Sequence, residues 1–184
     1  MKTWPVPNSY SKKLPEKGTL GSFWENRGDR HHSGVDIFAP PGSEVVACDS
    51  GYVIDVGEFQ IPEKSKYINK SFFVSIKTED NFIYKYAKLS EVYVNMGDYV
   101  LEGSPIGKVD VIINPENLDY KTPDYIFDMV DDDKLSMLHL EIYLAPITEV
   151  RPYENGNYLG NEKPYSLIDP GFFLDSSRRK NNKQ

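Results

Sequence analysis

Thirteen prolines and thirteen glycines punctuate this 184-residue chain along its whole length, and the apolar runs between them are short. Those runs are rich in Val, Ile, Tyr and Phe, side chains that suit a pleated, half-buried surface better than a helix. Strands are expected near 44–48, 51–57, 71–77, 81–86, 99–101, 105–109 and 137–144. Thr78-Glu79-Asp80 supplies a polar turn between two of them, which predicts a hairpin. Residues 87–93 offer one short helical turn at most. The reading is an all-β, mainly antiparallel domain. At 39% hydrophobic and 13% aromatic, the chain has the material for a core.

Two stretches repeat one another. Gly42-Ser43-Glu44-Val45 leads to Gly51-Tyr52-Val53, and Gly97-Asp98-Tyr99-Val100 leads to Gly107-Lys108-Val109. Each reads as turn, strand, turn, strand. A duplicated β-hairpin unit explains the pattern, and chance likeness of two hairpins is the alternative. Residues 113–136 interrupt it: Pro115, Pro123 and Asp131-Asp132-Asp133 suggest a solvated loop inserted before the last long strand. Residues 175–184 form a polar tail, expected to be disordered.

The net charge of −7 argues against nucleic acid, because phosphate contacts need clustered Lys and Arg, and it disfavours anionic membrane surfaces for the same reason. No stretch approaches the roughly 20 apolar residues of a spanning helix, and the first residues have no apolar leader. The chain is therefore expected in the cytoplasm unless a targeting segment was removed from it. Cys48, alone in the apolar run Val45–Cys48, reads as a small buried side chain rather than a reactive thiol.

There are only three histidines, His31, His32 and His139. His32-Ser33-Gly34-Val35-Asp36 sets a His and an Asp four residues apart around a glycine. An imidazole and a carboxylate both suit zinc, at roughly 2.0–2.2 Å. A surface His and a turn Asp would produce the same spacing. In Met137-Leu138-His139-Leu140-Glu141-Ile142, strand alternation places Met137, His139 and Glu141 on one face and the aliphatic residues on the other. His139 is then either a hydrogen-bonded structural histidine or a third ligand, with Glu141 placed to hold its ring.

From about Gly18 to Leu174 the chain resembles the lysostaphin/LytM-type zinc endopeptidases of peptidoglycan. His32-Ser33-Gly34-Val35-Asp36-Ile37-Phe38-Ala39-Pro40-Pro41-Gly42 looks like their first metal motif. Tyr86-Ala87-Lys88-Leu89-Ser90 resembles their central Tyr-x-His-Leu-Ser element. Val94-x-x-Gly97-Asp98-x-Val100-x-x-Gly103-x-x-Ile106-Gly107 is similar to their second turn segment. Leu138-His139-Leu140-Glu141-Ile142 resembles their His-Leu-His-Phe-Glu strand, and Asp169-Pro170-x-Phe172-Phe173-Leu174 their closing segment. The resemblance implies a duplicated-hybrid-motif β fold (a β-sandwich or barrel-sandwich hybrid) over 18–174, after an N-terminal extension 1–17. It implies Zn2+ held by His32, Asp36 and His139.

Two positions depart from the pattern. The family's central His is Lys88 here, and the first His of its final His-x-His is Met137. A metal-bound water still needs a base, and the tetrahedral oxyanion a donor. Met137 supplies neither. Lys88 could act on an oxyanion only as a charge, and Glu141 is the candidate replacement base, with His31 behind it. The Gly/Ser/Thr-rich loop of active members is replaced by Asp128–Leu135. Two expectations follow. One is a zinc-retaining, catalytically degenerate domain that binds peptidoglycan or a peptide or protein ligand. The other is an active zinc endopeptidase in which Lys88 or Glu141 takes an altered role. The paired histidines of sugar-transport phosphocarriers, which have related folds, are not available: the last long strand holds only His139.

Overall fold

The computed structural model describes residues 2–147 and 151–175. In chain order its strands are β1 Arg30–His32, β2 Val35–Phe38, β3 Glu44–Val46, β4 Gly51–Gln60, β5 Ser71–Lys77, β6 Phe82–Val92, β7 Tyr99–Val100, β8 Pro105–Val109, β9 Met137–Leu144, β10 Tyr153–Glu154, β11 Asn157–Leu159 and β12 Leu167–Ile168. Two short helices are present, α1 Asp124–Asp131 and α2 Gly171–Leu174. The pairings are antiparallel throughout, as the all-β reading requires. The main sheet runs β12-β9-β6-β5-β4-β7, with β2 on β9 and β8 bridging β3 to β6. A smaller sheet, β1-β11-β10, stands apart.

The two repeated stretches exchange strands. Val45 of the first copy pairs with Gly107 of the second, and Gly51 of the first pairs with Val100 of the second. The two glycines play matching parts. A Cβ on Gly51 would strike the backbone carbonyl of Lys77, and one on Gly107 that of Glu91. Only a residue without a side chain lets the neighbouring strand approach so closely. The equivalence of pairing and packing supports duplication over chance.

Alternation builds the core. Val74 and Ile76 of β5, Tyr84 and Tyr86 of β6, and Leu138, Leu140 and Ile142 of β9 all point inward and are fully buried. Apolar area removed from water contributes about 25 cal/mol per Å², and these side chains account for much of it. The intervening residues of the same strands share the opposite face, and that face carries the site.

Three expectations change. Residues 87–93 form no helical turn. Strand β6 continues to Val92 because its far end finds new partners on β8, Glu91 opposite Lys108 and Val92 opposite Gly107. The segment 113–136 is not simply a solvated loop. Within it α1 buries Ile126 and Met129, three residues apart on one face, against Ile112, Ile113 and Met137. The acidic run ends this helix: Asp133 takes a left-handed φ of 54°, its N–H bonds to Val130 O at 3.0 Å, and Lys134 N–H bonds to Met129 O at 2.8 Å. That is a Schellman closure with Asp where Gly is usual. The short strands β1, β2, β10, β11 and β12 were not foreseen. Of the polar tail, residues 176–184 lie outside the described residues. Among the described residues no helix is long and apolar enough to cross a membrane. Cys48 is buried and unpaired, as expected.

Candidate metal centre

Strands β2 and β9 lie side by side with Asp36 directly opposite His139. The turn before β2 brings His32 to the same point, and Gly34 makes the turn possible, since a Cβ there would run into the Leu140 backbone. His32 Nε2 lies 2.9 Å from His139 Nδ1 and 3.3 Å from Asp36 Oδ2. Asp36 Oδ1 lies 3.1 Å from His139 Nδ1. The three residues expected to hold metal therefore converge, with candidate ligand atoms within 4.8 Å of one another. All three are fully buried.

The outer nitrogens of both rings are tied to acceptors. His32 Nδ1 lies 2.8 Å from the Ser22 carbonyl oxygen, which only accepts, so Nδ1 carries the hydrogen. His139 Nε2 donates to Glu141 Oε1 at 2.9 Å. The inner nitrogens, His32 Nε2 and His139 Nδ1, point at one another and at Asp36. Burial, with the Arg27 cation as the next cause, pushes the His32 pKa down to about 3 and keeps that ring neutral. Asp36 stays ionised: burial works to raise its pKa, but the Lys88 ammonium and the hydrogen bond from His139 outweigh it and hold it well below the usual range. Two converging imidazole nitrogens beside a carboxylate are a set of donor groups that a cation can take. The chemistry of the donors fits zinc, with a carboxylate orienting one ring and a carbonyl the other.

Glu141 is held by four donors. It accepts from Ser33 Oγ at 2.6 Å, His139 Nε2 at 2.9 Å, Tyr143 OH at 2.8 Å and Tyr153 OH at 2.6 Å. Lys85 Nζ stands 3.6 Å away, across the strand pair. Burial would raise the Glu141 pKa, yet Lys85 and these hydrogen bonds hold it far below the ordinary value. Its acceptor capacity is filled, so it orients His139.

Lys88 reaches the trio through a break in β6. Phe72 pairs with Leu89 and Phe73 with Ala87, so Lys88 has no partner on β5. Its φ is 64°, an uncommon conformation for a side-chain-bearing residue and a bulge that re-aims it. Lys88 Nζ donates to Asp36 Oδ1 at 3.1 Å and lies 3.2 Å from Met137 Sδ. The two positions that depart from the family pattern thus touch each other. Burial lowers the Lys88 pKa, opposed by Asp36. On the other side Arg27 sits 2.9 Å from Glu25 and 3.5 Å from Asp36, beneath the Tyr125 ring at 4.2 Å. His31 turns away, stacked on Trp24 with ring centres 4.7 Å apart.

An active zinc endopeptidase needs a coordination position open to its substrate. Instead the trio is roofed. Asn157 of β11 pairs with His32, and a Cβ on Gly156 would come within 2.8 Å of His139 Nε2. Phe59 stacks on His139 at 5.8 Å. A cavity of about 60 Å³ opens beside the site, lined by Arg27, Lys88, Tyr125 and Asn157 but not by His32, Asp36 or His139. Of the residues that sequence reasoning missed, Tyr143 sits two positions from Glu141 on one face of β9 and was legible by alternation. Arg27, Tyr153 and Asn157 reach the site through tertiary pairing and left no local signal.

The model of Peptidase family M23 matches residues 30–119. No curated protein matches the sequence. Among solved structures the chain is similar to the lytM protein of Ruminococcus gnavus, at 20% identity and a TM-score of 0.54, covering 94% of this chain and 59% of that one. Lysostaphin of Staphylococcus simulans gives 20% and 0.52, covering 96% of this chain and 56% of that one. A chain of the SpoIIIAH and SpoIIQ complex gives 18% and 0.51, covering 94% and 99%. This chain thus spans little more than half the length of the first two. Those likenesses speak for the fold. The segment that matches peptidase family M23 contains β1 to β8, His32, Asp36 and Lys88, and over it the chain is similar to that family.

Proposed function

We propose that this chain is a zinc-binding M23 domain that does not cleave, and that it acts as a binding or regulatory module toward peptidoglycan or a peptide ligand. The observation that carries this reading is the contact between Lys88 and Met137 beside an intact ligand trio. His32 Nε2, His139 Nδ1 and the Asp36 carboxylate are the atoms that would hold the ion. Zinc, when bound, lowers the pKa of a coordinated water toward about 7.

The rest of hydrolysis falls to the protein. A base within reach must take a proton, a contribution of about 10²–10⁴-fold in rate. Met137 has no titrating proton and accepts weakly. Lys88 spends its ammonium on Asp36, where it serves the ligand rather than an oxyanion. Glu141 is saturated with donors. The roof over His139 leaves little room for a scissile peptide.

The test pairs turnover with binding. Zinc-supplemented protein is incubated with insoluble cross-linked peptidoglycan and with pentaglycine. The expected result is co-sedimentation with peptidoglycan, or retention on an immobilised peptide, and no released fragments or new amino termini. Cleavage that disappears in His139→Ala would overturn the proposal and establish an active endopeptidase.

A further inference from the structure

We propose that Lys88 is a built-in competitor for the metal: its ammonium occupies the Asp36 carboxylate, so that a divalent ion binds only by displacing it. The inference rests on the reading that His32, Asp36 and His139 take zinc.

Three independent features converge on this residue. Lys88 Nζ and His139 Nδ1 both lie 3.1 Å from the same oxygen, Asp36 Oδ1. Lys88 is only 5% exposed, so its charge is poorly screened and repels a second cation sharing that carboxylate. It also lines the neighbouring cavity, which the three ligands do not, and so lies between that space and Asp36. The strained bulge at φ 64° holds it there.

The charges around the trio balance without a metal. Asp36, Glu25 and Glu141 face Lys88, Arg27 and Lys85 through the ion pairs described above. A dication adds two charges to a neutral cluster. Moving the Lys88 ammonium off Asp36 toward the cavity is the smallest rearrangement that makes room. Lysine suits this part, because its point charge rides on a flexible four-carbon stem.

The test is a calorimetric titration of metal-free protein with Zn2+, repeated with Co2+ and followed by its visible absorption bands. Lys88→Gln keeps a hydrogen-bonding group of nearly the same reach without the charge. It is expected to bind both ions at least about tenfold more tightly than the unaltered chain. Lys88→Met should behave alike, and circular dichroism establishes that either variant is folded. Lys88→Arg, which keeps the charge, should remain as weak as the unaltered chain. Equal affinity in the unaltered chain and both neutral variants, abolished by His139→Ala, would overturn the competitor role and leave the trio as a zinc site. No binding by any folded variant would overturn the trio assignment and this inference with it.

Discussion

His32 Nε2 and His139 Nδ1 face each other across 2.9 Å in a fully buried site, each within 3.3 Å of the Asp36 carboxylate. Two imidazole nitrogens and a carboxylate held this close in a fully buried site form a cluster that a cation would draw together. In the described residues the nearest cation on the Asp36 side is Lys88. The relationship accounts for both the expected metal affinity and its expected restraint.

Zinc should therefore stabilise the fold. An ion present at about 100 times its dissociation constant adds about 2.7 kcal/mol. The thermal midpoint of the unaltered protein should rise on adding Zn2+ and fall back with a chelator, whereas that of His139→Ala should not move. A midpoint indifferent to zinc in both proteins would speak against the ligand trio.

Glu141→Gln tests the orienting carboxylate. The amide keeps the volume but leaves Lys85 without its counter-ion and forces one of four donors to face an N–H. Breaking a buried charged pair of this kind costs about 3 kcal/mol, read as a shift of the urea midpoint in the presence of chelator. The same variant should weaken zinc binding about 10- to 100-fold, as changes to a ligand's supporting carboxylate do.

Gly156→Ala probes the roof. The residue adopts a φ of 84°, and a Cβ would meet His139 Nε2 at 2.8 Å. Strain and contact together should cost about 1–3 kcal/mol and lift the β10–β11 hairpin, with increased amide exchange at Tyr153–Leu159. Unchanged stability would mean that the hairpin yields without cost.

Acid should destabilise the metal-free protein well above the range of ordinary carboxylates. His32 has a folded pKa of about 3 against about 6.5 in the unfolded chain, so the unfolded state binds more protons between those values. Its contribution is complete above about pH 6.5 and declines as the pH falls through that window. Asp36 and Glu141, both depressed, add a second loss below about pH 4. Glu25, raised by burial, works in the opposite direction alone. Urea midpoints should fall from pH 7.5 to 5.5 and fall further by pH 4. A midpoint that holds steady from 7.5 to 4 would contradict the buried, neutral His32.

Restoring the two family histidines tests how much of the loss lies in the roof. Lys88→His with Met137→His supplies titrating groups, yet Gly156 and Phe59 still cover His139. No cleavage of pentaglycine is expected from the double variant. Turnover would place the deficit in those two residues alone.

The strand pattern was legible because 71–77 is dense in Phe, Val and Ile, because Leu138, Leu140, Ile142 and Leu144 alternate with other residues in 137–144, and because the turn glycines recur. The scarce histidines drew attention to 32–36 and 139, but only the resemblance of the surrounding motifs joined His32, Asp36 and His139 as one ligand set. What escaped depends on contacts distant in sequence. Helix α1 was obscured by its aspartates, which lie on and beyond the face opposite Ile126 and Met129. The β10–β11 roof uses two- and three-residue strands too short to show a period, and Arg27 touches both Asp36 and Asn157 of that roof, a residue 130 positions away. The Lys88–Asp36 pair joins residues 52 apart through a bulge that alternation rules do not foresee.

The central claim is that His32, Asp36 and His139 form a real metal site, and elemental analysis of purified protein tests it most directly. After saturation with Zn2+ and removal of free ion, the account predicts close to one zinc per chain, and background metal in His139→Ala and Asp36→Ala variants shown to be folded. Less than about a tenth of an equivalent in the unaltered chain, or a full equivalent that survives both substitutions, would contradict it.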